Sequence, residues 1–399
     1  MLSILRGLFA PTTLTRERMS ELDRHAGNSG AAPRAACHAP FTTLSFQTSG
    51  EVLSCCRKPA TVLGNVTRQS LREIWRGREL AALRASVRNY RFPAGCAWCD
   101  WCAHRGELAL ADLRKYRHLE LHARGDEWPR RLEFNLSNVC NLECIHCDGL
   151  LSSAIRAREG LPPLPRVYGD RFFAELAEFL PHLEEAVFLG GEPFLQAECF
   201  RIWRLLVERK LETRCVIITN GTVYHPEIAR ILDALPFWLS VSLDGSTKAT
   251  VESVRRNARH ADLWKNLARF REHAKKPGST LVVSFSVMRQ NCGEFADFLV
   301  MAEELGVDVT LNLVIHPPRC TPMSMPPEEL EPVLARLHAR EAELLPRLKR
   351  NAAVWRQGLG FLHAALDPGK RREMVEAMHT ADRSVSAGRH AGSDLPGKV

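Results

Sequence analysis

From Arg131 onward, short runs of apolar residues with strand-like composition alternate with longer stretches whose apolar positions recur at helical spacing. Strands are predicted at RLEFNL (131–136), EAVFL (185–189), CVIIT (215–219), FWLSVSL (237–243), LVVSFSVM (281–288) and VDVTLNL (307–313). Helices are predicted between them at 172–180, 200–207, 226–235, 263–273 and 294–305. Six such alternations imply βαβ units, which close right-handed onto a parallel sheet. The architecture expected is α/β: a partial (β/α)6 TIM-like barrel over residues 126–325, with its chemistry at the C-terminal ends of the strands. Those ends are polar or glycine-rich. The first runs into a cysteine loop and the second into Gly190-Gly191-Glu192-Pro193. The third ends in Thr219-Asn220-Gly221, the fourth in Ser242-Leu243-Asp244-Gly245, and the fifth in Arg289-Gln290-Asn291. The sixth carries Asn312, with His316 just beyond. One such end is only a turn signal; repeated at successive strands, they mark one functional rim.

The flanks have other patterns. Residues 37–125 read as a small α+β unit. Two short strands, 42–47 and 51–55, surround Thr48-Ser49-Gly50. One helix is predicted from Leu71 to Val87, and Cys96-Ala-Trp-Cys99-Asp-Trp-Cys102 follows. Residues 1–36 are polar and Gly/Ala-rich toward their end, as expected of a flexible extension. Residues 326–399 begin with a helical apolar face (Leu330, Val333, Leu334, Leu337, Leu344) and end in a polar tail expected to be disordered.

Composition narrows the class. A chain of 399 residues suits about two to three domains. Its 45% hydrophobic and 25% charged content is that of a globular protein. The net charge of +8 is mild and scattered, which does not argue for nucleic acid. No apolar run reaches the roughly 18 residues of a membrane helix. The opening MLSILRGLFAPTT is interrupted by Arg6 and Gly7 and lacks a clear cleavage site, so a cytoplasmic location is expected. The 13 cysteines are odd in number and follow no signal, which favours metal ligation in a reducing compartment over disulfides.

Cys140, Cys144 and Cys147 form a CxxxCxxC triplet within eight residues. An iron–sulfur cubane held by protein alone takes four cysteines, so three leave one iron open to another ligand. Zinc completed by a distant cysteine or by His146 is the alternative; its usual signature is two separated CxxC-like pairs.

The cysteine motif after the first strand, GGEP at 190–193, TNGT at 219–222 and SLDG at 242–245 resemble the radical S-adenosylmethionine (SAM) enzymes over roughly residues 131–315. The resemblance implies a radical SAM-type barrel whose Cys140, Cys144 and Cys147 hold a [4Fe–4S] cluster. SAM would chelate the open iron and be cleaved to a 5′-deoxyadenosyl radical. It further implies that Gly190 and Gly191 allow close approach to the SAM amino group and that Glu192 accepts from that ammonium. Ser242 and Asp244 would meet the ribose, supported by Asn220. His146 would lie beside the adenine, or be an ordinary loop histidine, and Arg255 would pair with the SAM carboxylate, with Arg256 adjacent. Catalytic acids or bases are not assigned.

The spacing Cys37-x12-Gly50-x4-Cys55, LGNV at 63–66, SLREIW at 70–75 and the later CxxC resemble the opening of a SPASM/twitch domain, here ahead of the barrel rather than after it. This implies an auxiliary [4Fe–4S] cluster on Cys37, Cys55, Cys96 and Cys99, with Cys102 a spare or a replacement for one of the last two. Zinc on the same four is the alternative. Cys56 is a spare; Cys199, Cys215, Cys292 and Cys320 are read as buried small residues. The resemblance implies an oxidoreductase or maturase that modifies a ribosomally made peptide or protein side chain. A carbohydrate or other small-molecule intermediate is the runner-up substrate, and an electron donor such as flavodoxin or ferredoxin the expected partner. The reading from another class is a non-catalytic metal-binding interaction protein.

Overall fold

The computed structural model describes residues 14–26, 34–56, 60–122 and 127–376. The chain divides into two units, one of residues up to Phe46 together with Gly50–Leu132, the other of Gln47–Ser49 and Glu133–Val375. The expected disordered tail from about 380 lies outside the described residues, as do 1–13 and 27–33 of the expected N-terminal extension.

The first unit carries three antiparallel strands, β1 (Thr43–Phe46), β2 (Glu51–Leu53) and β3 (Val62–Asn65), in the order β3-β2-β1. Sequence reading found the first two and missed β3. Part of the predicted flexible extension is a helix, Arg16–Ala26, which buries Leu22. The single helix expected at 71–87 is two, Leu71–Trp75 and Arg78–Arg88. Ser70 and Glu73 form a reciprocal capping box at the first, and Gly77 separates them, standing at the N-cap of the second. The CxxCxxC run lies on a turn at Ala94–Cys96 and a helix at Ala97–Arg105.

The second unit is the barrel. Six strands follow in sequence order: β4 (Arg131–Phe134), β5 (Glu185–Phe188), β6 (Arg214–Thr219), β7 (Phe237–Ser242), β8 (Thr280–Val287) and β9 (Asp308–Leu313). Pairing from β5 to β9 is parallel throughout. This is the partial (β/α)6 barrel expected, and each strand begins and ends within one or two residues of its predicted bounds. The helices between the strands cover one face of the sheet. Phe188 packs on Trp203 at 4.9 Å between ring centroids, and Phe285 on Phe298 at 4.6 Å. Helices Pro327–Leu344 and Ala352–Leu366 belong to the same unit. Trp355 stacks on Phe295 at 5.6 Å, and buried Asn351 accepts from Val309 N at 2.8 Å. No helix among the described residues is long and apolar enough to cross a membrane.

Phe285 is fully buried in this layer. Phe285→Ala is expected to lower unfolding free energy by about 3–5 kcal/mol. Arg78→Ala, at a side chain 94% exposed, should stay within about 0.5 kcal/mol of wild type. Urea titration of the three proteins checks both.

Candidate iron–sulfur and cofactor site

The loop after β4 presents Cys140, Cys144 and Cys147, packed against Leu142 and Ala258. Its shape is set by backbone contacts. Glu143 N donates to Arg256 O at 3.0 Å, Ile145 N to Val254 O at 3.0 Å, and Ser153 Oγ receives Cys140 N at 3.1 Å. Donors surround the sulfurs: Leu142 N lies 3.5 Å and Asn220 Nδ2 3.8 Å from Cys140 Sγ, and Arg255 Nη1 3.9 Å from Cys144 Sγ. Cys144 and Cys147 hydrogen-bond each other, which lowers the Cys144 thiol, aided by Arg255, and together with burial pushes the Cys147 thiol up.

The GGEP glycines allow a close approach within the chain. Gly190 stands at φ +109°, and a Cβ there would strike Asn135 Oδ1. A Cβ on Gly191 would strike Val139 O, at the root of the cysteine loop. Both glycines let the β5 end press against residues 135–139, where Gly191 N donates to Ser137 O at 3.2 Å and Glu192 N to Val139 O at 2.7 Å.

Two carboxylates expected to meet SAM are occupied within the chain. Glu192 is fully buried and accepts from Thr219 Oγ1 at 2.7 Å, Asn220 N at 2.7 Å and Phe194 N at 3.1 Å. Burial raises its carboxyl to about 6 against the pull of these bonds. Its place is therefore to pin the β6 end to the β5 end. Asp244, at φ +59°, is likewise sealed. Its Oδ2 accepts from Arg255 Nη2 at 2.5 Å and its Oδ1 from Ser286 N at 2.7 Å. Asn291 Nδ2 ties Asp244 O and Ser286 O, each at 2.9 Å. Asp244 thus fastens β7 to β8.

The remaining predicted residues lie around this frame. Arg255 is buried and Arg256 exposed, which distinguishes the two adjacent arginines. Asn220 Nδ2 reaches Asn141 Oδ1 at 3.0 Å, and its Oδ1 receives Thr222 N at 2.9 Å. His146 Nε2 sits 4.0 Å from Asp244 Oδ2, and burial lowers the ring's pKa, favouring neutral imidazole. Ser242 lies on the β7 face opposite the helices. Sequence reading did not single out Asn135, Asn141 or Ser153. An inward polar position on a strand (Asn135) was the available signal for the first; the other two depend on tertiary contacts.

In the first unit, Cys37, Cys55 just beyond β2, Cys96 and Cys99 come together. The charge of each of the other three would raise the Cys55 thiol, and Cys37 also acts on Cys96 and Cys99. Burial is the main cause that lifts Cys37 and Cys96 to about 12. Cys102 is buried one helical turn beyond Cys99. Cys199, Cys215, Cys292 and Cys320 are all buried.

Residues 134–302 match the Radical SAM superfamily model, and residues 37–103 match SPASM, an iron–sulfur cluster-binding domain. The chain is 31% identical over 179 residues to the AdoMet-dependent heme synthase of Methanosarcina barkeri, covering 45% of this chain and 48% of that one. It is 26% identical over 203 residues to the mycofactocin maturase MftC of Mycobacterium ulcerans, covering 49% and 50%. The solved structure of Streptococcus suis SuiB bound to S-adenosylmethionine aligns at 15% identity and a TM-score of 0.39, over 61% of this chain and 53% of that one. The chain spans about half the length of the curated relatives it matches. It carries a SPASM domain and, after it in sequence, a radical SAM domain; such domains hold [4Fe–4S] clusters, and the second also takes SAM.

The residues present fit those groups. Asn135 Oδ1, His146 Nδ1 and Arg255 Nε are buried without a hydrogen-bond partner among the described residues, a costly state for polar atoms unless a ligand satisfies them. Among the described residues, no three His, Cys, Asp or Glu side chains converge on one ion position. A cubane asks for something different, since each thiolate takes its own iron.

Gly191→Ala is expected to displace residues 137–139 and with them the cysteine loop. Anaerobic loading followed by iron analysis should then find about four iron atoms per chain where wild type holds about eight, one cubane in place of two.

Proposed function

We propose that this chain is a radical SAM enzyme that takes a hydrogen atom from a carbon of a ribosomally made peptide or protein side chain. The observation that carries this reading is the buried Arg255. Its guanidinium reaches the Cys144 sulfur and the Asp244 carboxylate, and its Nε–H is left without a partner among the described residues. An unfilled buried donor beside a three-cysteine loop suits an anionic carboxylate such as that of SAM. The chemistry supplied by the bound cluster and cofactor is one-electron cleavage of the SAM C5′–S bond to methionine and a 5′-deoxyadenosyl radical, which removes the hydrogen atom.

The chain's own residues hold and orient. Cys140, Cys144 and Cys147 supply three thiolates and leave one iron for the cofactor. Asn220 and Leu142 N stabilise the Cys140 thiolate by donating to it. Glu192 and Asp244 fix the strand ends from which these groups project. Neutral His146 offers Nδ1 to a base or hydroxyl. Ser242 remains the hydroxyl available for the ribose. Cys37, Cys55, Cys96 and Cys99 close the auxiliary cluster with no open iron, which suits electron transfer. A small one-electron carrier such as flavodoxin or ferredoxin supplies the reducing electron, and a reducing cytoplasm keeps the thiolates available.

The peptide assignment is supported by the maturase named among the relatives. A small-molecule intermediate is the second reading, favoured by the heme synthase.

Protein loaded anaerobically with iron and sulfide, then given SAM and dithionite, should release 5′-deoxyadenosine. The triple variant C140A/C144A/C147A should release none while keeping about four iron atoms on the other cysteines. Wild-type protein that holds both clusters and yields no 5′-deoxyadenosine would contradict the proposal.

A further inference from the structure

Strand register places a set of small polar side chains on the barrel face that the helices do not cover. Ser242 of β7, Ser284 of β8 and Thr310 of β9 are partners across the sheet, and Ser286 and Asn312 are partners one step toward the C-terminal ends. Ser240 lies one step the other way. Residues two apart on a strand share a face, so all six side chains stand on one wall. The intervening residues Leu239, Val241, Val283 and Phe285 are buried and face the helices.

This wall has a distinct chemistry. Among the described residues, none of its four serine hydroxyls makes a hydrogen bond, and none is sealed from open space. A wall built only for packing would be apolar, like the opposite face of the same strands. Charge is confined to its margins and is neutralised there. Asp244, beyond Ser242, is paired with Arg255, and Asp308, at the start of β9, lies 3.3 Å from Arg350. On the neighbouring strand the same face carries Arg214 at its start and then Val216 and Ile218, the latter 39% exposed.

Resting on the enzymatic reading above, we infer that Ser240, Ser284, Ser286, Thr310 and Asn312, beside the Ser242 hydroxyl assigned to the ribose, form a substrate wall that selects an uncharged group rich in hydroxyl or amide functions and excludes ionised side chains. An ionised group seated against these three strands would lose water and find no opposite charge on the wall itself free to pair with it, whereas a hydroxyl or amide exchanges water for Oγ and amide partners. Two sources share that chemistry: a Ser, Thr or Asn side chain of a peptide, or a free polyol.

The test uses six probes carrying deuterium on carbon: hexapeptides with a central Ser, Asn, Lys or Glu, free sorbitol and free inositol. With loaded protein, SAM and dithionite, transfer breaks a C–D bond of the probe and forms one at C5′, so mass spectrometry reads the deuterated fraction of 5′-deoxyadenosine. Neutral probes are expected to exceed Lys and Glu peptides by about tenfold or more. Transfer from the Ser and Asn peptides alone identifies a peptide, and from sorbitol or inositol a polyol. Ser284→Ala/Thr310→Val should reduce the deuterated fraction by about tenfold. A second readout needs no cluster. Trp238 stands on the same face two residues before Ser240, and its fluorescence (wild type minus Trp238→Phe) should respond to neutral probes and not to charged ones. Equal or greater transfer from charged peptides, no transfer from any neutral probe while 5′-deoxyadenosine forms, or an unaffected double variant overturns the inference. If no 5′-deoxyadenosine forms, the catalytic reading falls and the Trp238 response alone decides the wall.

Discussion

The ion pair between Arg255 and Asp244 holds the site together. Both side chains are almost completely removed from water, at 7% and 0% exposure, with 2.5 Å between Nη2 and Oδ2. Charges so placed persist only when paired and hydrogen-bonded, and removal of one partner strands the other in a medium that cannot solvate it. Asp244 meets this requirement through Ser286 N as well as Arg255, and Arg255 through Cys144 in addition. One short network therefore couples the end of β7, the start of β8's exit and the cysteine loop. Backbone bonds from Glu143 and Ile145 to the segment 254–256 repeat the coupling alongside it. A second buried carboxylate, Glu192, does the same for β5 and β6. The two acids anchor the strand ends around the cysteine loop.

Most of the barrel was legible because its strands combine β-branched runs with polar or glycine ends, and the structure moves their limits by only a residue or two. Local signals failed where tertiary contact decides. Leu71 to Val87 carries one helical stripe, yet Gly77 divides it, since a residue without a side chain favours the cap over the helix interior. The helix at Ala97–Arg105 was missed because its Trp and Cys residues do not trace a single apolar face. Strand β3 contains Gly64 and is only four residues long.

The candidate site was legible in its membership more than in its roles. Cys140, Cys144, Cys147, His146, Asn220 and Arg255 do gather at one end of the barrel. Whether a carboxylate at a strand end faces a ligand or an internal donor depends on residues far away in sequence, such as Thr219 for Glu192 and Ser286 for Asp244. The serines of SVSL and SFSV announced two strands by their alternation. That their hydroxyls have no partner among the described residues follows only once neighbouring strands and helices are in place.

The central claim is that three thiolates hold a cubane whose fourth iron accepts SAM. Electron paramagnetic resonance of the reduced, anaerobically loaded protein, compared before and after addition of SAM, tests it most directly. To isolate the barrel cluster, the comparison is made in a Cys37→Ala/Cys55→Ala background. The account predicts that SAM changes the g-values of this cluster and that S-adenosylhomocysteine produces a different spectrum. A spectrum that SAM leaves unchanged, in protein shown to hold the cluster, would contradict it.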